Sequence, residues 1–178
     1  MDSSGILYVA DTWNHCIRKI TSTEDVGGDV TILTGSTWRG YYDATGTEAQ
    51  FNGPYGVAVD SSGILYVADT WNNRIRKITP AGVVSTIAGD GTTAQFNEPS
   101  GVAVDSSGNL YVADYDNHRI RKTTSAGVVT TLAGTGTAGH HDATGTEAQF
   151  NGPSGVAVDS SGILYVADTD NNRIPKIE

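Results

Sequence analysis

Acidic, aromatic and imidazole side chains are the residues of this sequence with chemistry to offer, and they gather in short polar stretches between apolar runs. The segments DYDNH, Asp114 to His118, and DTDNN, Asp168 to Asn172, crowd side-chain oxygens at the spacing that hard cations such as calcium use. The distal glutamate of a full calcium loop is missing, so Asp69, Asp114 and Asp168 are expected to accept turn hydrogen bonds or to pair with a nearby arginine. His140, His141 and Asp142 are metal ligands by type. Adjacent histidines seldom point at one ion, and the matching residues of an earlier connection are Tyr41, Tyr42 and Asp43, so a solvated loop is expected and neither metal nor cofactor is assigned. Cys16 stands where other copies of the same pattern carry Arg74, Arg119 and Arg173. With no histidine and acid repeated beside it, it reads as a small half-buried apolar residue and not as a nucleophile. The aromatic residues have more to offer. Trp13, Trp71, Asp116 and Asp170 fall at one repeated position, and Trp38, Tyr41 and Tyr42 lie in a connection. Together they are the candidate ligand-binding set, suited to a sugar or a cationic side chain. No catalytic residue is assigned.

Composition narrows the classes of partner. The 178 residues are 38% hydrophobic and include 22 glycines, which suits one turn-rich globular domain. With 11 basic against 20 acidic residues and a net charge of −9, the chain lacks the surplus needed to neutralise phosphates, so nucleic acid is excluded as a partner. No apolar run approaches membrane-spanning length, and residues 1–20 lack the basic start and apolar core of a signal peptide. One cysteine rules out a disulfide within the chain.

A repeat must position these residues. DSSGILYVAD occurs at Asp2 to Asp11, again at Asp60 to Asp69 and at Asp159 to Asp168, and with Asn109 for isoleucine at Asp105 to Asp114. The spacing of about 45 to 60 residues lies near that of four-stranded propeller blades. The second copy is complete: GVAVD (Gly56 to Asp60), a DSSG turn, ILYVAD (Ile64 to Asp69), a loop, RIRKI (Arg74 to Ile78), a TPAG turn, and VVSTIAG (Val83 to Gly89). Four short strands with short connections predict an antiparallel meander. The single array over 1–178 divides into a partial unit at 1–35 lacking its first strand, full units at 56–89 and 101–134, and a partial unit at 155–178 lacking its last. That makes 14 strands, all-β, with no helix longer than a turn. A polar, glycine-containing turn is expected over 21–29, and Pro175 predicts a weakly paired edge for the last strand, Arg173 to Ile177. In a meander the loops between second and third strands share one face with the links between units, so all the candidate ligand residues are expected on that face.

The core GVAVDSSGNLYVADYDNHRIRK, Gly101 to Lys122, resembles the NHL repeat, with its tripeptide at Asn117-His118-Arg119 and Asn14-His15-Cys16. The resemblance implies a β-propeller. It leaves function open, because the family includes protein-binding, RNA-binding and enzymatic members. The leading expectation is a non-catalytic scaffold holding a protein or carbohydrate on its loop-rich face. The alternatives are an enzyme resembling propeller lyases or lactonases, with a divalent metal on the axis near Asp60, Asp105 and Asp159, and a purely structural product of repeat amplification. A row of four blades left open exposes two apolar faces, so closure by a head-to-tail homodimer of eight blades is expected.

Overall fold

A computed structural model describes residues 1–22 and 27–178, and residues 23–26 of the expected turn lie outside them. The chain forms four antiparallel sheets in sequence order. The first holds β1 (Leu7–Asp11), β2 (Cys16–Ser22) and β3 (Gly28–Thr34); the second β4 (Pro54–Val59), β5 (Leu65–Asp69), β6 (Arg74–Ile78) and β7 (Val84–Ala88). The third holds β8 (Pro99–Val104), β9 (Leu110–Asp114), β10 (Arg119–Thr123) and β11 (Val129–Ala133); the fourth β12 (Pro153–Val158), β13 (Leu164–Asp168) and β14 (Lys176–Ile177). Among the described residues the only helical pieces are three-residue 3-10 turns. This is the all-β propeller architecture, with 14 strands among the described residues in blades of three, four, four and three.

Alternation along the LYVAD strands tells each blade which neighbour to pack on. Leu65 and Val67 face the first blade beside Ile17, with Tyr8 and Ala10 against them. Tyr66 and Ala68, on the other side of β5, face Leu110 and Val112 of the third blade. The interface between blades is therefore the same contact repeated: a Tyr/Ala face on a Leu/Val face. At the inner strands the approach is closer still. A Cβ on Gly56 would lie 2.2 Å from the Ser100 carbonyl oxygen, and one on Gly101 would lie 2.7 Å from the Cα of Gly155. The glycine of GVAVD is thus required by backbone contact between blades.

The DSSG turns organise themselves. Asp105 accepts the N–H of Ser107 and of Asn109, each at 2.9 Å, and the Tyr111 hydroxyl at 3.1 Å, and Asp60 makes the matching bonds. These axial aspartates are thus engaged in their own turns. Partial burial opposes ionisation of Asp105, but the bonds from Asn109, Tyr111 and Ser107 outweigh it and hold its carboxyl below the ordinary range. A depressed folded-state pKa contributes stability that is present above the unfolded value, about 3.9, and lost as pH falls through the folded one. Asp105→Asn keeps an acceptor oxygen without the charge. It should melt below the parent protein at about pH 6, with the gap closing by about pH 2.5.

Two sequence expectations need correction. The first strands begin at Pro54, Pro99 and Pro153, two residues earlier than the GVAVD runs, with the register slipping at the glycine that follows. The last strand is shorter than Arg173 to Ile177. β14 lies at the sheet edge as expected, but the Pro175 carbonyl accepts the Val166 N–H at 3.1 Å, so its ring nitrogen faces β13. The missing donor therefore weakens the inner ladder, leaving a two-residue strand and one bridge between Asp168 and Arg173.

Candidate functional site

The loops after the second strands and the starts of the inner strands surround a groove of about 640 Å³ on the loop-rich face. Its two ends differ in character. The first and second blades contribute Trp13 and Trp71, whose ring centroids are 5.2 Å apart at an interplanar angle of 58°. Trp13 is 79% exposed, while Trp71 is more sheltered, with its ring over Gly53 and edge-on to His15. The third and fourth blades contribute Glu98, Tyr115 and Thr169, and exposed Tyr55 projects from the start of β4. Burial raises the pKa of the Tyr115 hydroxyl, and the carboxylates of Asp170, Asp116 and Glu98 raise it further. The groove thus carries an indole pair at one end and a cluster of negative charge at the other.

The scaffold beneath it is built by the residue that ends each 3-10 turn between a second and a third strand. His15, Asn73, His118 and Asn172 all adopt left-handed backbone with φ between 51 and 54°, a conformation that asparagine and histidine tolerate better than most residues. Three of them reach across to the following link. His15 Nδ1 accepts the Gly53 N–H at 3.0 Å, His118 Nδ1 accepts that of Gly152 at 3.1 Å, and Asn73 Oδ1 accepts that of Glu98 at 2.9 Å. The position they hold is itself left-handed: Gly53 and Gly152 in two links, but Glu98, at φ 51°, in the third. A side chain there costs roughly 1–2 kcal/mol over glycine, partly offset by glycine's greater freedom when unfolded. Glu98→Gly is expected to raise stability by about 0.5–1 kcal/mol in urea unfolding while weakening any cationic ligand of the groove, a combination that marks strain held at a functional position.

The structure distributes the residues expected from sequence over three places. Trp13 and Trp71 meet in the groove, and Asp170 borders it, 3.5 Å from the Tyr115 hydroxyl. Asp116, next to Tyr115 in the chain, is exposed. Tyr41, Tyr42 and Asp43 are elsewhere, which corrects the expectation that the links stay on the loop-rich face. After Trp38, itself exposed and bonded through its backbone to Ser36, the first link runs down the outer edge of the second blade and pairs with β7. Tyr41 stacks on the Arg74 guanidinium at 3.8 Å and bonds Thr86, while Asp43 clasps Arg76. His140, His141 and Asp142 are exposed in the second link, and no three His, Cys, Asp or Glu residues among the described residues are grouped to hold a metal. Cys16 is fully buried, and burial pushes its thiol up, as suits an inert position. Asp69 and Asp114 do pair with arginine, at 2.6 Å to Arg76 and 2.8 Å to Arg121, and each accepts a backbone N–H from the preceding link, not from its own turn.

Glu98, Tyr55 and Tyr115 were not singled out from the sequence. A signal was there: Tyr55 stands where the other copies have Ser100 and Ser154, Tyr115 where they have Thr12, Thr70 and Thr169, and Glu98 where they have Gly53 and Gly152. Near-identical copies depart from one another at positions that converge on one groove.

The NHL repeat family profile matches residues 1–20, 51–78, 96–122 and 150–176, more than half of the chain. The chain belongs to the NHL repeat family. The NHL repeat-containing protein 2 of Bos taurus is 40% identical to this NHL chain over 87 residues, which are 48% of the chain and 11% of that protein, so the chain spans about a tenth of that relative's length. A structural genomics protein of unknown function from Bacteroides thetaiotaomicron superposes with a TM-score of 0.79 and 27% identity, over 99% of this chain and 45% of that one. A streptogramin B lyase superposes with a TM-score of 0.71 and 14% identity over 99% of this chain and 49% of that one, a likeness of fold alone. No helix among the described residues is long and apolar enough to cross a membrane.

Proposed function

We propose that this NHL chain is a non-catalytic propeller scaffold that closes its ring with a second copy and holds a protein partner through a cationic side chain in the axial groove. The observation that carries the binding reading is the pairing of the Trp13 and Trp71 rings with the carboxylates of Glu98, Asp116 and Asp170 around one groove. A lysine or arginine there meets an aromatic face, worth about 0.5–2 kcal/mol as it is desolvated, and a negative field from the far wall. A neutral glycan is served less well, because the indoles stand at 58° to one another and form a notch instead of a flat platform. Ring closure is supported by the terminal faces. Leu7 and Val9 are 45% and 40% exposed where their counterparts Leu65 and Val67 are buried, and Tyr165 is 41% exposed where Tyr66 is buried. The two open faces are the two halves of the contact that already joins blades within the chain. The Bacteroides protein and the streptogramin B lyase, which superpose over 99% of this chain, are each about twice as long, the length two copies supply.

Titration with a lysine-rich peptide, followed by calorimetry, tests the binding reading. The Trp13→Ala/Trp71→Ala variant is expected to lose binding at least tenfold while unfolding as cooperatively as the parent. Peptide binding that survives in the double variant, or preference for a neutral oligosaccharide, overturns it.

A further inference from the structure

The outer rim of the third blade lacks a cover that the second blade has. There the cover is the first link. It lies along AQFN, with the Gly40 N–H donating to the Phe51 carbonyl at 2.9 Å and the Gln50 N–H to the Tyr42 carbonyl at 3.1 Å, and the Gly40 carbonyl accepts Asn72 Nδ2 at 2.7 Å. Asp43 then spans to the sheet, accepting Arg76 Nε at 3.1 Å and the Thr86 N–H of β7 at 2.9 Å, while Tyr41 stacks on Arg74. The second link repeats the upper part of this frame: the Gly139 N–H donates to the Phe150 carbonyl at 3.1 Å, the Gln149 N–H to the His141 carbonyl at 2.9 Å, and Asn171 Nδ2 to the Gly139 carbonyl at 2.7 Å.

The link before the third blade keeps AQFN but reaches it from Gly89 through Asp-Gly-Thr-Thr alone, without the stretch that would lie on it. The gap therefore comes from a short link between two four-stranded blades. The receiving groups are all present. Asn117, Gln95, Arg119, Arg121 and Thr131 stand where Asn72, Gln50, Arg74, Arg76 and Thr86 stand, with Arg121 opposite Thr131 as Arg76 is opposite Thr86. The Gln95 carbonyl accepts Arg121 Nη1 at 2.6 Å as the Gln50 carbonyl accepts Arg76 Nη1 at 3.0 Å, so the arginine is already posed alike. Its outward bonds are missing. Among the described residues Asn117 Nδ2 donates only to Asp114, the Gln95 N–H donates to nothing, and Arg121 Nε is buried without a partner. Arg121 is 9% exposed and pairs with one carboxylate where Arg76 pairs with two. Ala94 is exposed where Ala49 is fully buried, which marks the uncovered surface.

We propose that this rim is an acceptor site for an extended acidic segment of a partner protein, in which a tyrosine stands two residues before an aspartate. The aspartate takes the place of Asp43 on Arg121 Nε and Nη2 and on the Thr131 N–H. The residue before it pairs with the Gln95 N–H, and the tyrosine covers the Arg119 guanidinium. The carboxylate is selected because charge-assisted bonds to a guanidinium are about twice as strong as neutral ones. The backbone pairing, a short case of strand addition, selects an extended peptide over a free acid. The site lies on the outer rim, away from the axial groove, and does not rest on the cationic ligand proposed there.

The test adds a capped synthetic peptide of residues 40–46, GYYDATG, to the whole chain and follows calorimetry and amide exchange. Saturable binding is expected, with slowed exchange at Gln95 and Thr131. Asp43→Asn in the peptide should weaken binding about tenfold or more, because it removes hydrogen bonds between charged groups. N-acetylaspartate amide at the same concentration should not compete, and the Trp13→Ala/Trp71→Ala variant should bind as the parent does. A chain in which residues 36–48 replace residues 90–93 supplies the segment in cis. It should no longer bind the peptide, and Arg121→Ala within it should cost as much stability as Arg76→Ala. Absence of binding, equal binding of the asparagine peptide, full competition by N-acetylaspartate amide, binding that the graft leaves unchanged, or protection at Val30 and Ile32 in place of Gln95 and Thr131 overturns the proposal.

Discussion

Arg76→Ala is expected to destabilise the fold by about 3–5 kcal/mol, a large part of the roughly 5–15 kcal/mol that holds a domain together. The Arg76 side chain is fully buried. It donates to the Asp69 carboxylate at 2.6 Å, the Gln50 carbonyl at 3.0 Å and the Tyr42 carbonyl at 3.1 Å, and it clasps Asp43 as well. One guanidinium therefore fastens the second blade to the link that wraps it. Its removal strands the Asp69 carboxyl, which burial already pushes above its ordinary value against the pull of Arg76, Asn72 and Asn52. For a carboxyl raised in the folded state, stability is fully present below the unfolded pKa and is lost as pH rises through the folded one. The deficit of Arg76→Ala should therefore grow between about pH 4 and pH 7, as urea unfolding would show. The double variant Asp69→Leu/Arg76→Met should recover part of the loss by removing the unpaired charge. Recovery stays incomplete because Asp69 also accepts the Asn52 N–H and the Asn72 side chain. Arg121→Ala should cost less, since among the described residues its hydrogen-bond partners are Asp114 and the Gln95 carbonyl and the short link offers no counterpart of Asp43. Equal losses at Arg76 and Arg121 would show that the link clasp adds nothing.

The blades were legible in the sequence because their signals are local. Aspartate, serine and glycine in DSSG set a turn by bonds within a few residues, and LYVAD between such turns has few alternatives to a strand. The path of the long links was not legible. DATGTEAQFNGP has no period, and its decisive contact, Asp43 with Arg76, joins residues 33 apart that nothing in the sequence pairs. Pro175 marks an edge strand in the sequence, but which ladder loses its donor was not legible, since the side that a nitrogen faces depends on register, and register is set by the partner strand. At the groove, the largest rings drew attention to Trp13 and Trp71. Glu98 is small evidence by type, and it gains meaning only from the left-handed backbone it is forced to share with Gly53 and Gly152.

The Leu7→Asp/Val9→Asp variant is expected to convert a two-chain ring into single chains. In the contact between second and third blades, Leu110 and Val112 are buried against Tyr66 and Ala68. Leu7 and Val9 hold the same places on the first blade and lie exposed, and Tyr165 with Ala167 offers the matching face on the fourth. Leu7 and Val9 are already more than half covered, so burying the rest contributes about 1–3 kcal/mol at each such contact, and an aspartate forced into the same place adds a desolvation cost of several kcal/mol. A ring closed by two-fold symmetry contains that contact twice, so the substitutions should weaken association by about four orders of magnitude or more. Tyr165→Asp attacks the opposite half of the contact and should give the same result. Leu65→Asp places the same charge in the contact that joins the first two blades within the chain, and it should unfold the protein instead of dissociating it. Light scattering beside urea unfolding separates these outcomes: a parent of two chains, terminal variants of one chain with cooperative unfolding, and an internal variant without it. A parent that scatters as one soluble chain, with terminal variants of unchanged mass and stability, would remove ring closure between copies from the account and leave the apolar ends to be covered in some other way.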